Sequence, residues 1–512
     1  MAFYPRRAAK ERKAKPSAGE RESSLPPVLM PSLSNIRREN LWTAAVLLIS
    51  SIIILGSAPA QYLGRQQDDL MYALAAQSLA YGQGFRLITS PGLPWMNVVS
   101  PGLPVFLFPI AYFFPGHFGL FELFCAFILS LCPWAFWLWL KKRKAAFPAD
   151  ILLVLIFSSS PIILSQSGTV MSESLFVLMT LLFLISMESL SSSVRTWAGG
   201  LSLMALIQTR LAGAFLIPAA FSRCLRERKG KEFLGILTLS LFPLAIWMYY
   251  SLRFSGQIQK VKEGLDFYGV GLPAVFTVFL KNAAYYSMSL GFSFLPLRTP
   301  PAAGEMVGGV LFFAVLWGLW IWIKKDLFDP AAWALISTLV LHLFWPWHYD
   351  RYLMMPLPLI LLALHDGIKR LAVFVLPALL FAQMVFYLPH FLSFSGDIKQ
   401  MELKESYAWL RAHTNPQDIL SSAMYVRDGF YSARPSLPLA LKPSAKSLNQ
   451  FFENHQVRYV LWEGNLDLGL SVPGKSPINS TLQKIDQELQ NSRFFKLVYE
   501  NRRENSAIYK VR

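Results

Sequence analysis

Two adjacent carboxylates, Asp68 and Asp69, follow directly after an apolar run that is long enough to cross a bilayer. The residues after them, LMYALAAQSLAYGQG, have helical spacing and stop at Gly82 or Gly84. An amphipathic helix is therefore expected, with one of the two acids as its N-cap and Tyr72 on their face. One acid would suffice for the cap, although a second acid in the first turn is common. The pair thus fits either a helix start or a side chain that takes a proton in a reaction.

Glu173 and Arg210 are charged side chains set among apolar residues. Glu173 is expected at the outer mouth of a span that begins near Ser174, and Arg210 lies between two short apolar segments. A charge at bilayer depth is costly, so it tends to face protein or water and to be functional. Arginine in this setting needs a carboxylate or a phosphate as partner. The alternatives are an ordinary helix-start acid for Glu173 and an arginine that reaches the outer membrane surface for Arg210.

The stretch WPWHYDRYLMMPLP, residues 345–358, places His348, Asp350 and Arg351 within a belt of Trp and Tyr side chains. Such belts are typical of a membrane interface. Arg351 would face an anionic head group in the functional interpretation. In the structural interpretation, Asp350 and Arg351 only anchor a helix end.

The long loop 252–306 adds Lys260 and Lys262, with aromatic residues between its basic side chains. Basic residues in an outer loop run against the positive-inside bias, which favours a phosphate-binding role for them. Long loops escape that bias, so the signal from these two lysines is weak.

Composition defines the class of protein. Of 512 residues, 54% are hydrophobic and only 15% are charged, and long apolar runs recur throughout, which indicates a polytopic membrane protein. The net charge of +17 lies in short clusters between apolar runs. That is the pattern of cytoplasmic loops and not of a nucleic-acid-binding surface, so no nucleic-acid partner is expected. The three cysteines show no metal-binding spacing, and no phosphate-binding glycine loop or HExxH motif occurs, so an ATP-driven or soluble-cofactor enzyme is not expected.

Three parts are predicted along the chain. Residues 1–40 hold nine Lys and Arg against four Glu and are expected to be a disordered basic tail in the cytoplasm. Residues 41–392 are predicted to form a transmembrane domain of about eleven spans with amphipathic helices in its outer loops. Residues 393–512 are predicted to be an extracytoplasmic soluble α/β domain, with strands near 418–420, 458–462, 494–500 and 507–512. The expected location is a bacterial inner (plasma) membrane.

In their order along residues 41–390, these motifs resemble the GT-C superfamily of polytopic glycosyltransferases. The bacterial branch related to protein O-mannosyltransferases and to the aminoarabinose transferase of lipid A is the most similar. Many members have Asp-Glu where this chain has Asp-Asp, which leaves the roles within the pair open. The motifs that carry the resemblance are Asp68–Asp69 with Tyr72, Ala76 and Gly82; Pro101 and Pro104; Glu173; Thr209, Arg210 and Gly213; and Arg351, Tyr352, Pro356 and Pro358.

The resemblance implies a polyprenyl-phosphate monosaccharide as donor and a hydroxyl of a lipid, glycan or protein as acceptor, with inversion at the anomeric carbon. One of Asp68 and Asp69 would be the general base. Arg351 and Arg210 would stabilise the phosphate as it leaves. The remaining substrate-binding candidates are Lys260, Lys262, Glu173, Tyr72, His348 and Asp350.

No cofactor is required by the sequence, although a divalent metal could lie between the two carboxylates. A transporter or lipid flippase and a non-catalytic scaffold subunit are the competing classes of function. Because the polar candidates gather at one predicted face of the membrane, an enzyme that works among membrane lipids is favoured. The C-terminal domain would either bind and screen the acceptor or simply pack on the membrane domain.

Overall fold

The computed structural model describes residues 33–58, 63–64, 66–189, 191–255, 272–296, 299–345, 347–393, 403–442, 444–464, 477–491 and 493–512. The chain divides into two units, Met1–Ala45 and Val46–Arg512. Of the first unit, the described part is the start of one helix. Lys260 and Lys262 lie outside the described residues, so their proposed role stays a prediction.

The described residues between 33 and 393 form a helical region. Its α-helices are α1 (Leu33–Gly56), α2 (Asp68–Ala80), α3 (Gly102–Phe113), α4 (Gly119–Lys142), α5 (Ala149–Ser159), α6 (Pro161–Leu164), α7 (Ser172–Met187), α8 (Ser192–Val194), α9 (Gly200–Thr209), α10 (Ile217–Arg226), α11 (Gly230–Ser255), α12 (Leu272–Phe292), α13 (Pro301–Lys325), α14 (Pro330–Phe344), α15 (Leu357–Ile368), α16 (Ala372–Phe386) and α17 (Leu388–Ser393). A π-turn, Arg195–Gly199, leads into α9, and two 3₁₀ turns, Leu211–Leu216 and Asp350–Met354, precede α10 and α15.

Five of the described helical segments are long and apolar enough to cross a membrane: Glu39–Gly56, Gly119–Lys142, Gly230–Ser255, Pro301–Lys325 and Ala372–Phe391. Five shorter apolar helices accompany them, among them α3, α7 and α14. The chain is therefore an integral membrane protein. The expected total of about eleven spans, the location of each end and the cell membrane concerned stay predictions.

The sequence interpretation of residues 252–306 as a loop is wrong, because α12 (Leu272–Phe292) lies within this segment. This helix packs along α13 where glycines allow close approach. A Cβ atom on Gly308 would lie 1.6 Å from the carbonyl oxygen of Ser287, and one on Gly291 would lie 2.1 Å from that of Gly304. Polar residues such as Asn282 lower the apolar character of α12, which is why hydropathy alone missed it.

Residues 403–512 form the C-terminal α/β region. Its elements are α18 (Lys404–His413), β1 (Ile419–Ser422), α19 (Tyr425–Ser432), β2 (Ser436–Pro438), α20 (Ala445–Asn454), β3 (Val457–Glu463), α21 (Pro477–Asn491), β4 (Phe495–Asn501) and β5 (Ser506–Val511). The four predicted strands are confirmed as β1, β3, β4 and β5. Strand β2 was missed, since three residues are too few for an alternating pattern.

The five strands form one mixed sheet in the order β2-β1-β3-β5-β4. Strands β2, β1 and β3 are parallel, and β5 is antiparallel to both β3 and β4. The apolar core around α2 and α3 includes Val426 of α19. Phe430 of the same helix packs edge-on against Phe118, with ring centroids 5.2 Å apart. The C-terminal region is therefore packed directly on the elements that carry the acidic pair.

Replacing Gly308 by alanine is expected to lower the melting temperature of the purified protein in detergent. The new methyl group would collide with the backbone of α12, and overpacking of this kind costs about 1–3 kcal/mol. The control is Gly309→Ala, whose Cβ would meet none of the described atoms within 4 Å. Alanine is a better helix former than glycine by about 1 kcal/mol, so the control should melt no earlier than the parent protein. An equal fall in both variants would contradict the close helix contact.

Candidate active site

Helix α2 begins at Asp68, and its cap residue is Gln67, whose backbone is left-handed with φ 58° and whose side chain makes no cap hydrogen bond. The prediction that one of the acids is the N-cap is therefore wrong. The positive φ of Gln67 turns the chain into the helix one residue earlier, so Asp68 and Asp69 become the first two helical residues. Their charges still complement the positive end of the helix dipole. The predicted end at Gly82 is confirmed, because this glycine has φ 72° just after α2.

Asp69 points back towards its own chain. One carboxylate oxygen, Oδ2, accepts the backbone N–H of Gly64 at 3.0 Å, and the other, Oδ1, accepts that of Leu70 at 2.7 Å. The residue is only 6% exposed. Burial raises the pKa of Asp69 to about 6, with a smaller contribution from the charge of Asp68, while the two backbone hydrogen bonds oppose the rise. Asp69 therefore holds the loop before α2 in place.

Asp68 is the more open of the two acids, with 35% of its side chain exposed. It lines a cavity of about 390 Å³, whereas Asp69 is not among the lining residues. The Nη2 atom of Arg351 lies 3.6 Å from its Oδ2 atom. The two adjacent acids thus have different surroundings, a distinction that the sequence left open.

Glu173 joins two arginines from distant parts of the chain. It is the second residue of α7 and is fully buried. Arg210 donates to its Oε1 atom through Nη1, and the Nε atom of Arg351 lies 3.4 Å from the same oxygen. Together with Asp68, these side chains place two positive and two negative charges next to one another. The structure therefore brings together four of the charged residues singled out in the sequence.

The position of Arg210 comes from a break in the helices. Helix α9 ends at Thr209, and Arg210 is extended, with φ −153° and ψ 136°. The 3₁₀ turn that follows folds back on α9 at Gly213, where a Cβ atom would lie 2.6 Å from the carbonyl carbon of Leu206. At Gly102, the start of α3 approaches the same break, since a Cβ there would lie 2.5 Å from the backbone nitrogen of Thr209. Gly213, which belongs to a sequence motif, and Gly102 thus allow close backbone packing around the break that presents the arginine.

Aromatic rings flank both guanidinium groups. The Cζ atom of Arg210 lies 5.1 Å from the centre of the Tyr352 ring, and that of Arg351 lies 4.8 Å from the Tyr349 ring. Tyr72 is buried on the cavity wall, and burial raises the pKa of its hydroxyl while nearby Arg210 opposes that rise. Its placement agrees with the predicted α2 face.

Asp350 and His348 lie on another side of this cluster. Asp350 accepts a hydrogen bond from Ser289 of α12, and the ring of His348 packs on Tyr285 of the same helix at 4.4 Å. Neither residue is among those that line the cavity. Burial, with Lys281 nearby, lowers the pKa of His348. These contacts anchor the turn that carries Arg351, and a role in substrate binding stays a prediction.

Sequence reasoning missed two residues of this site. Gln66 accepts a hydrogen bond from Nη1 of Arg351, and nothing in its type or spacing points to that contact. His342 lines the cavity and its Nε2 atom lies 2.9 Å from the carbonyl oxygen of Tyr352. A histidine inside the apolar run of α14 was a signal that could have identified it.

The cavity walls are mostly apolar, and they enclose the Asp68 carboxylate and the Arg210 guanidinium. The 390 Å³ volume lies in the range of pockets that hold small organic groups. The walls include Val98, Val99, Leu211, Phe215, Trp247 and Trp347. Such a pocket can receive a group that is apolar at one end and anionic at the other.

The residues at the acidic pair do not fit a resident divalent metal. Both oxygens of Asp69 accept backbone N–H groups, and Asp68 faces an arginine. Within the described residues, no group of three His, Cys, Asp or Glu side chains comes close enough to hold a metal ion. A divalent ion usually needs more oxygen ligands than Asp68 alone would supply.

Neither a protein-family model nor a curated protein matches the sequence. Among solved structures, the chain is similar to an oligosaccharyltransferase from Archaeoglobus fulgidus, with 12% identity over 81% of this chain and 67% of that one and a TM-score of 0.48. It is similar to ArnT from Cupriavidus metallidurans bound to undecaprenyl phosphate, with 12% identity over 93% and 98% of the two chains and a TM-score of 0.46. It is also similar to the mycobacterial arabinofuranosyltransferase AftD, with 14% identity over 92% of this chain and 41% of that one and a TM-score of 0.45. All three are GT-C glycosyltransferases, the superfamily that the sequence resembles.

Glu173→Gln is expected to destabilise the protein by about 3–5 kcal/mol, because two arginines would lose their shared buried carboxylate. The control is Glu188→Gln. Glu188 also pairs with an arginine, Arg143, but that guanidinium keeps two hydrogen bonds to Asp329 at 2.8 and 2.7 Å. Thermal melting of both variants in the same detergent measures the difference. A smaller effect for Glu173→Gln than for the control would contradict the central role of the shared carboxylate.

Proposed function

We propose that the protein is a membrane glycosyltransferase that moves a monosaccharide from a polyprenyl-phosphate donor to the hydroxyl of a lipid, glycan or protein acceptor. One observation carries the proposal: the Asp68 carboxylate and the Arg210 guanidinium line the same mostly apolar cavity of about 390 Å³. Asp68 can accept a proton from a hydroxyl, Arg210 can bind a phosphate, and both lie beside apolar walls that suit a lipid chain. This combination of groups matches the chemistry of a lipid-phosphate sugar.

Asp68 is the base in this proposal. Its partly exposed carboxylate lies 3.6 Å from the Nη2 atom of Arg351, which holds it beside the cavity. The acceptor hydroxyl gives its proton to this carboxylate as its oxygen bonds to the anomeric carbon. The bond from that carbon to the phosphate oxygen breaks, and its electron pair stays on the phosphate. A single displacement of this kind inverts the anomeric centre.

Arg210 stabilises the leaving phosphate. Charge grows on the phosphate oxygens as the bond breaks, and a fixed planar guanidinium directed at them lowers the barrier. Glu173 and the Tyr352 ring hold Arg210 in one orientation, so little reorganisation is needed during the reaction. Arg351 sets the position of Asp68 and adds a second positive charge behind it. Lys260 and Lys262 remain further candidates for the phosphate.

Asp68→Asn is expected to lower kcat by about 10²–10⁴-fold, because the amide cannot take the hydroxyl proton. The KM for the donor should change little. The assay follows sugar transfer by purified protein from a synthetic polyprenyl-phosphate sugar to candidate acceptors. The control is Glu188→Gln, which removes an acid that is paired with Arg143 and is not a cavity-lining residue. Full transfer by a folded Asp68→Asn variant would refute the proposed base.

Arg210→Lys keeps the positive charge but loses the planar pair of donors. Charge-assisted hydrogen bonds contribute about 1.5–3 kcal/mol, so kcat/KM for the donor should fall by about ten- to a hundredfold. Arg143→Lys is the matched control, because Arg143 also pairs with acids but is not among the residues that line the cavity. It is expected to lower the melting temperature without changing the donor kinetics. The same loss of kcat/KM in both variants would argue against a phosphate contact by Arg210.

A further inference from the structure

The C-terminal α/β region reaches the loop that precedes the acidic pair. The hydroxyl of Tyr431, on α19, donates a hydrogen bond to the carbonyl oxygen of Leu63 at 2.9 Å. The two residues are 368 positions apart in the chain. A contact of this kind cannot be found from local sequence, and it connects two parts that were predicted to be separate domains.

The hydrogen bond from Tyr431 and the hydrogen bond to Asp69 share one peptide group. The carbonyl of Leu63 and the N–H of Gly64 belong to the same planar amide. That N–H donates to the Oδ2 atom of Asp69 at 3.0 Å. An amide that accepts a hydrogen bond at its oxygen becomes more polarised, so its N–H becomes a stronger donor. Tyr431 therefore acts on Asp69 through a single peptide.

A second contact fixes the orientation of this peptide. Gly64 has φ 96°, and a Cβ atom there would lie 2.7 Å from Cγ of Arg427, so the arginine stem packs directly on the glycine. Arg427 is itself held by Asp428 at 2.9 Å and by Glu463 at 2.7 Å. Its side chain is 4% exposed. The Leu63–Gly64 peptide therefore packs against an arginine that a buried ion-pair network of the C-terminal region holds in place.

We propose that Tyr431 is a positioning residue for the acidic pair, and that the C-terminal α/β region is therefore part of the catalytic machinery. The inference deepens the proposed glycosyl transfer and rests on it. Tyr431 supports the ionised form of Asp69, Asp69 fixes the loop, and the loop presents Asp68 to the cavity. Among the residues that the structure describes, the charged or titratable groups that face Asp69 are Asp68 on its own helix, Glu122 at the start of α4, and Tyr431.

The test is Tyr431→Phe, which removes one hydroxyl and keeps the ring that packs against Phe430 at 5.0 Å. Ionised Asp69 loses support in this variant, so its pKa should rise from about 6. In a plot of kcat against pH, the rise of kcat on the acid side (the acid limb) should then move to higher pH by about half a unit. Below pH 6, kcat should therefore fall by up to about threefold, whereas near neutral pH it should change little, and the donor KM should stay the same. A loss of folded protein would lower kcat at every pH and would not move the limb.

Ser436→Ala is the matched control. Its hydroxyl donates to the carbonyl oxygen of Tyr425 at 2.6 Å and lies 3.2 Å from that of Thr89, in the segment after α2. It is thus a buried hydroxyl near the same contact between the two regions, but none of its hydrogen bonds goes to the Leu63–Gly64 peptide. This variant should leave the acid limb in place. An unmoved limb in Tyr431→Phe, or an equal shift in Ser436→Ala, would overturn the proposal.

The positioning role of Tyr431 can also be tested without measuring sugar transfer, so that its failure can be distinguished from a failure of the proposed function. The carboxyl stretch of Asp69, assigned by its loss in Asp69→Asn, can be titrated by infrared difference spectroscopy in the parent protein and in Tyr431→Phe. A higher midpoint in Tyr431→Phe supports the positioning role even where no sugar transfer is found. An identical midpoint refutes the positioning role even where Asp68→Asn abolishes transfer.

Discussion

The site depends on one buried carboxylate that two arginines share. Glu173 has no exposed surface, and an isolated charge in such a place would be strongly unfavourable. Arg210 and Arg351 neutralise it, and the Asp68 carboxylate beside Arg351 balances the second positive charge. Each arginine would repel the other without the acid between them. The four side chains therefore have to be assembled together, and their assembly sets the relative positions of α2, α7, the break after α9 and the turn before α15.

Ion pairs alone do not make a functional site in this protein, as the network around Arg143 demonstrates. Arg143 forms two hydrogen bonds with Asp329, a third with Glu188, and lies over the ring of Trp322 at 5.3 Å. These residues tie helix ends together and do not line the 390 Å³ cavity. Arg210 also pairs with a buried carboxylate, that of Glu173, but Arg210 lines the cavity as well. Both arginines pair with carboxylates, so this pairing does not distinguish them. Arg210 is a candidate phosphate-binding residue because it borders a cavity, whereas Arg143 only connects helix ends.

The charged members of the site were visible in the sequence because charges among apolar residues are rare. Their grouping was not, since Glu173, Arg210 and Arg351 come from distant parts of the chain and no local pattern links them. Helix α12 was hidden for a related reason. Its Asn282 lowers the apolar character of the segment, but the side chain donates to the carbonyl oxygens of His342 and Trp345 at the end of α14. A polar residue that satisfies a neighbouring helix end resembles a loop residue when only the sequence is available.

The division of labour between the two acids follows from helical geometry. Successive residues of an α-helix point about 100° apart, so Asp68 and Asp69 point in different directions from the first turn of α2. With Asp68 at the cavity, Asp69 is directed towards the chain, where Gly64 and Leu70 occupy both of its oxygens. The second acid then stabilises the loop that enters α2, and the C-terminal region packs on the outside of that same loop. In the proposed reaction the two acids therefore have different tasks: Asp69 holds the loop, and the position of that loop determines where Asp68 meets the substrate.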